Sequence, residues 1–136
     1  MELAWRWNPV AGVSLSGHYT YLDADEPAGE EVKRPRHSGG LVISGRGRGG
    51  KLKVGAAISY QGAQLDNDFR NFFTTFAAER TELAGYTLVN LNASFELTDT
   101  VEVHARVENL LDEDYEESIG YTTPGAAVFA GIRIDI

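Results

Sequence analysis

Apolar and polar residues alternate with a period of two along most of this chain, the pattern of pleated strands with one apolar face. In residues 101–111 the odd positions are Val101, Val103, Ala105 and Val107, and the even ones are Glu102, His104, Arg106 and Glu108. In residues 86–98 one side carries Val89, Leu91, Ala93, Phe95 and Leu97. The other carries Asn90, Asn92, Ser94 and Glu96. The last segment puts Ala126, Val128, Ala130, Ile132, Ile134 and Ile136 on one face. This periodicity predicts seven strands, at 2–7, 13–22, 38–46, 51–61, 86–98, 101–111 and 126–135. The third is the weakest, because Gly39 and Gly40 blur its alternation.

The connections alternate between short and long. Short turns fall near Pro9 and Gly12, in the Gly-rich stretch 47–50, and at Asp99. Long connections occupy 23–37, 62–85 and 112–125. The polar stretch 25–36 reads as a mobile loop. An up-and-down antiparallel sheet with this order has every short turn at one end and every long loop at the other. The middle strands approach the roughly 9–11 residues that a tilted strand needs to cross a bilayer. Strands of soluble proteins are more often about 5–6 residues long.

Composition narrows the function classes. The 136 residues include Gly 15, Tyr 6 and Phe 6 but only Pro 4, a mix that favours strands. A net charge of −8 without a basic run argues against a nucleic-acid partner. The absence of cysteine removes disulfides, thiolate catalysis and Cys-based zinc sites. Met1 is not followed by a basic and then an apolar run, so any export signal is expected upstream in a longer protein.

An alternating antiparallel sheet fits two environments. In a soluble barrel that binds a lipophilic ligand, the apolar face is the core or cavity lining. In an outer-membrane barrel, it faces lipid and the polar face lines a wet lumen. A surface adhesin that presents its loops to a protein partner is a third reading.

The segment Arg106-Val-Glu-Asn-Leu-Leu-Asp-Glu-Asp-Tyr115 resembles the C-terminal signature of TonB-dependent outer-membrane receptors, in which a penultimate strand runs into an Asn-Leu-(Phe/Leu)-Asp-x-x-Tyr element. The matching positions are Asn109, Leu110, Leu111, Asp112, Tyr115, Gly120, Tyr121 and Gly125, followed by the final strand with Gly131. Within that superfamily the resemblance is to the vitamin B12 receptors. It rests on Leu65-Asp-Asn-Asp-Phe69, on Gly85-Tyr-Thr-Leu-Val-Asn-Leu and on residues 108–125. The final strand is also similar to the assembly signal of outer-membrane proteins through Gly131, Ile134 and Ile136, although the usual terminal aromatic is absent.

The resemblance implies an all-β fold, an antiparallel up-and-down meander of about seven long strands forming part of a transmembrane β-barrel. It implies that residues 1–136 are one segment, the C-terminal part of the receptor barrel, without the plug domain. It implies transport of a scarce nutrient such as cobalamin, and no enzymatic role or cofactor. The implied partners are outer-membrane lipid, the remaining barrel and plug, and TonB through an N-terminal region outside this chain.

Physically, Asn109 and Asp112 carry short polar side chains that can stop a strand. Leu110 and Leu111 can cover apolar surface, and Tyr115 and Tyr121 suit an interface belt. No other constellation carries chemistry. His18, His37 and His104 are dispersed, with His104 expected to line the lumen. Asp23-Ala-Asp25-Glu26, Glu30-Glu31 and Asp66-Asn-Asp68 lack the spacing of a calcium loop and read as solvated acidic stretches. Gly45-Arg-Gly-Arg-Gly-Gly50 lacks the Gly-Lys-Ser/Thr of a phosphate loop and reads as a tight hairpin.

Overall fold

The computed structural model describes residues 1–23, 25–26, 29–30, 32–70, 76 and 78–135. The apolar placement of Ile136 and the solvated reading of the acidic side chains at 25–26 and 30–31 lie outside what the structure describes. Among the described residues the elements are all strands apart from one 3-10 turn. They are β1 Glu2–Trp7, β2 Val13–Tyr21, β3 Asp25–Glu26, β4 Gly29–Glu30, β5 His37–Gly47, β6 Leu52–Gln61, β7 Gln64–Asp68, β8 Glu79–Leu83, β9 Tyr86–Glu96, β10 Val101–Glu108, β11 Glu116–Ser118, β12 Tyr121–Thr122 and β13 Ala127–Ile134.

Seven of these strands form one antiparallel sheet in the order β1-β2-β5-β6-β9-β10-β13, each paired with its neighbour in the meander. This is the expected all-β, up-and-down architecture. Three further hairpins, β3-β4, β7-β8 and β11-β12, stand in the three long connections. Stretch 25–36, expected to be mobile, thus carries the β3-β4 ladder and a bridge from Val32 to Leu65. Periodicity misses such pieces because two or three residues show no measurable alternation.

Partners directly opposite in an antiparallel ladder share a face, so the register assigns the whole sheet. Trp5 pairs with Gly17, Gly17 with Leu41, Leu41 with Ile58, Ile58 with Val89, Leu91 with Val107, and Val107 with Val128. This continuous face is apolar. Aromatic residues mark its ends, with Tyr19, Tyr21 and Tyr60 toward the long loops and Trp7 and Phe95 toward the short turns. Outer-membrane barrels carry such girdles at both interfaces. The opposite face runs through Arg6, Ser16, Val42, Ala57, Asn90 and, on the next strands, Arg106 and Phe129. Val103 and His104 lie on opposite sides, as alternation requires.

Glycines on the sheet lie beneath the side chain of a cross-strand partner. The Trp5 indole covers Gly17, His18 covers Gly40, the Asn92 amide covers Gly55 and His104 covers Gly131. In each case a Cβ would meet the covering atoms at 2.4–2.7 Å. Gly131 thus lies under the ring of His104, at a backbone conformation that has no need for glycine. The turn 48–50 does need it, because Arg48, Gly49 and Gly50 have φ of 51°, 68° and 97°.

The sheet has no core of its own. Among the described residues Leu83, in the β7-β8 hairpin, is the buried apolar side chain, whereas Val128, Ile132 and Ile134 are each above 60% exposed. β1 and β13 each have one paired neighbour, which leaves two open edges.

Candidate functional site

The chemistry gathers at the loop end of the polar face. Hairpin β7-β8 turns the side chains of Gln64, Asp66 and Asp68 inward, and all three are buried. Period-two geometry explains this, since these are alternate residues of one short strand. Asp66 Oδ2 accepts the Ile119 N–H at 3.0 Å, and Asp66 Oδ1 accepts the Asn67 N–H at 2.8 Å. Gln64 Nε2 donates to the Glu117 carbonyl at 3.4 Å. From the first loop, the Lys33 N–H donates to the Leu65 carbonyl at 2.6 Å. Lys33 Nζ reaches Ser118 Oγ at 3.2 Å and Asp66 Oδ1 at 3.7 Å. The three long connections are thus knitted to one another, with Asp66 at the junction.

The reading of Asp66-Asn-Asp68 as a solvated acidic stretch is corrected here. Asp66 is 3% exposed and Asp68 is 7% exposed. Burial of a carboxylate is tolerable because each accepts hydrogen bonds. Asp68 takes the Arg70 guanidinium on both oxygens, at 2.6–3.0 Å, and the Arg70 backbone N–H at 2.9 Å. These two contacts, the side chain first, hold its carboxyl below the usual aspartate range. A depressed folded pKa contributes stability above the unfolded value of ~3.9 and loses it as pH falls through the folded value. Hydrogen-exchange protection of the Arg70 amide is therefore expected to be level from pH 7 to about 5 and to fall away below pH ~3.9. Asp68→Asn should flatten that profile, and an unchanged profile in the variant would refute the assignment.

The residues of the Asn-Leu-Leu-Asp element form a second knot. Asn109 is buried and has φ +48°, which ends β10 after Glu108 instead of at the expected residue 111. Its Nδ2 donates to the carbonyls of Glu113 at 2.8 Å and Pro124 at 3.4 Å, and its Oδ1 accepts the Glu113 N–H at 2.9 Å. The Asn109 N–H donates to Asn90 Oδ1 at 2.9 Å. Asp112, at φ +53°, accepts the Ala126 N–H at 2.8 Å, and its Oδ1 would lie 2.6 Å from any Cβ on Gly125. Thr123 Oγ1 donates to the Tyr115 carbonyl at 2.7 Å. Asn109, Asp112, Tyr115 and Gly125 are thus brought together. Gly131 sits apart under His104, and Gly120 forms the β11-β12 turn at φ +83°.

One expectation changes. Tyr115 does not belong to an outward belt, since its ring lies 4.3 Å from that of Tyr86, a residue of the polar face. Leu110 and Leu111 are about half exposed. Tyr121 is 75% exposed.

Between the knot and the sheet lies a groove of about 350 Å³ on the polar face, lined by Leu88, Asn90, Asn92, Arg106, Glu108 and Tyr115 among others. Its charged residues are Arg106 and Glu108, paired at 3.3 Å, and the Arg106 guanidinium also rests 4.4 Å from the centre of the Phe129 ring. At the short-turn end a separate network joins four strands. Lys53 Nζ contacts Glu96 at 2.8 Å and Glu102 at 3.3 Å, and Arg133 contacts Glu102 at 3.1 Å. Among the described residues no three His, Asp or Glu side chains are placed to hold a metal.

Sequence reasoning missed Lys33, Gln64, Asn90 and Arg133. The pairing register of β6, β9, β10 and β13 joins Asn90 and Arg133 to their partners, whereas Lys33 and Gln64 meet theirs through contacts between the long connections.

A sequence model of the family described as TonB dependent receptor-like, beta-barrel, matches residues 1–110. The vitamin B12 transporter BtuB of Vibrio cholerae serotype O1 is 33% identical over 82 residues, 59% of this chain and 13% of that protein. The vitamin B12 transporter BtuB of Photobacterium profundum is 30% identical over 114 residues, 82% of this chain and 17% of that protein. The outer-membrane ferripyoverdine receptor of Pseudomonas aeruginosa, bound to ferripyoverdine, superposes with a TM-score of 0.81 at 23% identity, over 99% of this chain and 19% of its own. The ferric-catecholate import receptor Fiu of E. coli K12 superposes at 0.75 with 20% identity, over 98% of this chain and 20% of its own. This chain spans no more than a fifth of the length of any of these four proteins.

Proposed function

This chain belongs to the TonB dependent receptor-like β-barrel family of the bacterial outer membrane, and on that premise we propose that it is a C-terminal stretch of barrel wall from a nutrient transporter whose cargo is a cobalamin. Residues 1–136 act as one segment. The plug, the TonB-contacting region and the remaining strands belong to the rest of the receptor. The apolar face meets lipid and the polar face lines the lumen. The signature residues Asn109, Leu110, Asp112, Tyr115, Gly120, Tyr121, Gly125 and Gly131 serve architecture: a knot that ends β10, a turn, and a covered glycine. The role is passage and recognition, not catalysis.

The observation that carries the choice of cargo is the charge balance of the lumen groove. Its one guanidinium, Arg106, is countered by Glu108, and the uncharged polar side chains beside the pair are Asn90, Asn92 and Tyr115. Such a surface suits the neutral carboxamides around a corrin ring. A ferric catecholate carries several negative charges and gains from unpaired cations. The named vitamin B12 transporters among the relatives support the same reading. Ferric siderophores are the rival cargo, favoured by the solved receptors that superpose.

Equilibrium binding to the receptor carrying this wall separates the two. Cyanocobalamin should bind, and Asn92→Ala should weaken it about tenfold, the scale of one or two lost hydrogen bonds. Tight binding of a ferric siderophore with none of cyanocobalamin would overturn the cargo.

A further inference from the structure

Tyr115 stands between two grooves. On one side is the lumen groove beside Arg106 and Glu108. On the other lies a groove of about 360 Å³, bordered by Glu82, Tyr86, Glu113 and Thr122 among others. The ring partner Tyr86 belongs to the barrel wall, where it pairs with Gln61 on the polar face. Tyr115 belongs to no strand of that wall. It lies in the third long connection, between the end of β10 at Glu108 and the start of β11 at Glu116. Its place against Tyr86 is therefore set by whatever holds that connection.

Two fastenings hold it, one on each side of Tyr115 along the chain. Before it, the Asn109 amide binds both the N–H and the carbonyl of Glu113. After it, the ties run to the neighbouring hairpin β7-β8. Gln64 Nε2 meets the Glu117 carbonyl at 3.4 Å, and Asp66 Oδ2 takes the Ile119 N–H at 3.0 Å. The second is the stronger, being shorter and made to a carboxylate, and such bonds are about twice as strong as neutral ones. The first connection arrives at the same point. Lys33 Nζ lies 3.7 Å from Asp66 Oδ1 and 3.2 Å from Ser118 Oγ, next to Ile119. Lys33 also holds φ +59°, a left-handed conformation that a lysine rarely adopts and that its surroundings must impose. All three long connections thus converge on one buried carboxylate.

We propose that Asp66 is a positioning residue for the lumen groove: by clasping the Ile119 amide it holds Tyr115 against Tyr86, and through Lys33 it makes the three long connections one body. Without the clasp, the β11-β12 hairpin is anchored at its base, by Asn109 and Asp112. Tyr115 is then free to leave Tyr86, and the two grooves that it separates become one wider space. The loss would be felt by cargo although Asp66 does not line the lumen groove. That effect on cargo rests on the lumen reading of the polar face proposed above. The clasp itself does not.

Hydrogen exchange of the intact receptor, resolved to single amides, tests the clasp without any cargo. In Asp66→Ala the Ile119 and Lys33 amides should exchange about tenfold faster than in wild type, the scale of one lost charge-assisted bond. Asp66→Asn should recover part of the Ile119 protection, because its amide oxygen still accepts. Asp68→Ala should leave both amides unchanged, since Asp68 is buried in the same strand yet bonds to Arg70 of its own connection. Gln64→Ala removes the weaker tie and should speed Ile119 exchange about threefold. It serves if Asp66→Ala misfolds, as judged by heat-dependent gel mobility. Positioning is read from cargo kinetics on the same preparations. Cyanocobalamin, or ferripyoverdine if the wild type binds that instead, should leave Asp66→Ala about tenfold faster, with Asp66→Asn intermediate. Unchanged Ile119 exchange in Asp66→Ala would overturn the clasp. Faster exchange with unchanged cargo release would overturn the positioning role. A wild type that ignores cyanocobalamin would sink the choice of cargo alone, because the exchange comparison needs none.

Discussion

Diluted from denaturant into plain buffer, the isolated chain is expected to aggregate and to give no folded monomer. The sheet exposes both faces, with Leu83 as the buried apolar side chain among the described residues. Among the described residues no layer packs against Leu41, Ile58, Val89 or Val107, so the burial that offsets chain entropy is missing. The two outer strands, β1 of 6 residues and β13 of 8 residues, leave ladder groups unpaired. Those edges are templates for association in water and cost several kcal/mol per unsatisfied group in lipid. Closing the sheet on itself offers no escape. With 7 strands in a meander, β1 and β13 run the same way, and their union would be a parallel pair. Bacterial single-chain barrels avoid this by having even strand numbers. A cylinder that narrow would also crowd Lys53, Glu102, His104 and Arg106 into its interior. Light scattering and NMR of the refolded chain check this. Sharp dispersed signals with cooperative melting would defeat it and promote a soluble barrel.

Placing arginine at two consecutive residues should have opposite consequences. Ala56 and Ala57 are neighbours near the middle of β6. Ala56 pairs with Ile43 and Leu91 on the apolar face, and Ala57 pairs with Val42 and Asn90 on the polar face. In the receptor reconstituted in bilayers, Ala56→Arg should cost about 2–4 kcal/mol, the range for a cation facing lipid near the midplane. Ala57→Arg should cost less than about 1 kcal/mol, because its guanidinium enters a wet lumen. Strand, depth and substitution are the same, so the difference isolates the environment of each face. Guanidine titrations followed by tryptophan fluorescence measure it. Equal costs would contradict the lipid-facing assignment.

The sequence by itself determined the element type, the number of long strands, the order of short and long connections and the faces of the strands at 86–98, 101–111 and 126–135. These follow from local causes. Alternation has a period of two, and turns announce themselves through Gly, Pro and Asp, so Val103 and His104 could be separated before any pairing was known. It also marked Asn109 and Asp112 as the place where a strand stops. Only the tertiary structure decided what those residues do. Asn109 binds Glu113 and Pro124, Asp112 binds Ala126, and Tyr115 packs on Tyr86, all contacts between segments that composition cannot join. The small hairpins were hidden because two to five residues carry too little periodicity. The burial of Asp66 and Asp68 was hidden because an acidic triplet looks the same in water as in a loop junction. The difference lies in partners such as Ile119, 53 residues away along the chain. Pleating is written in neighbouring residues, whereas burial and register belong to whichever distant segments the fold brings alongside.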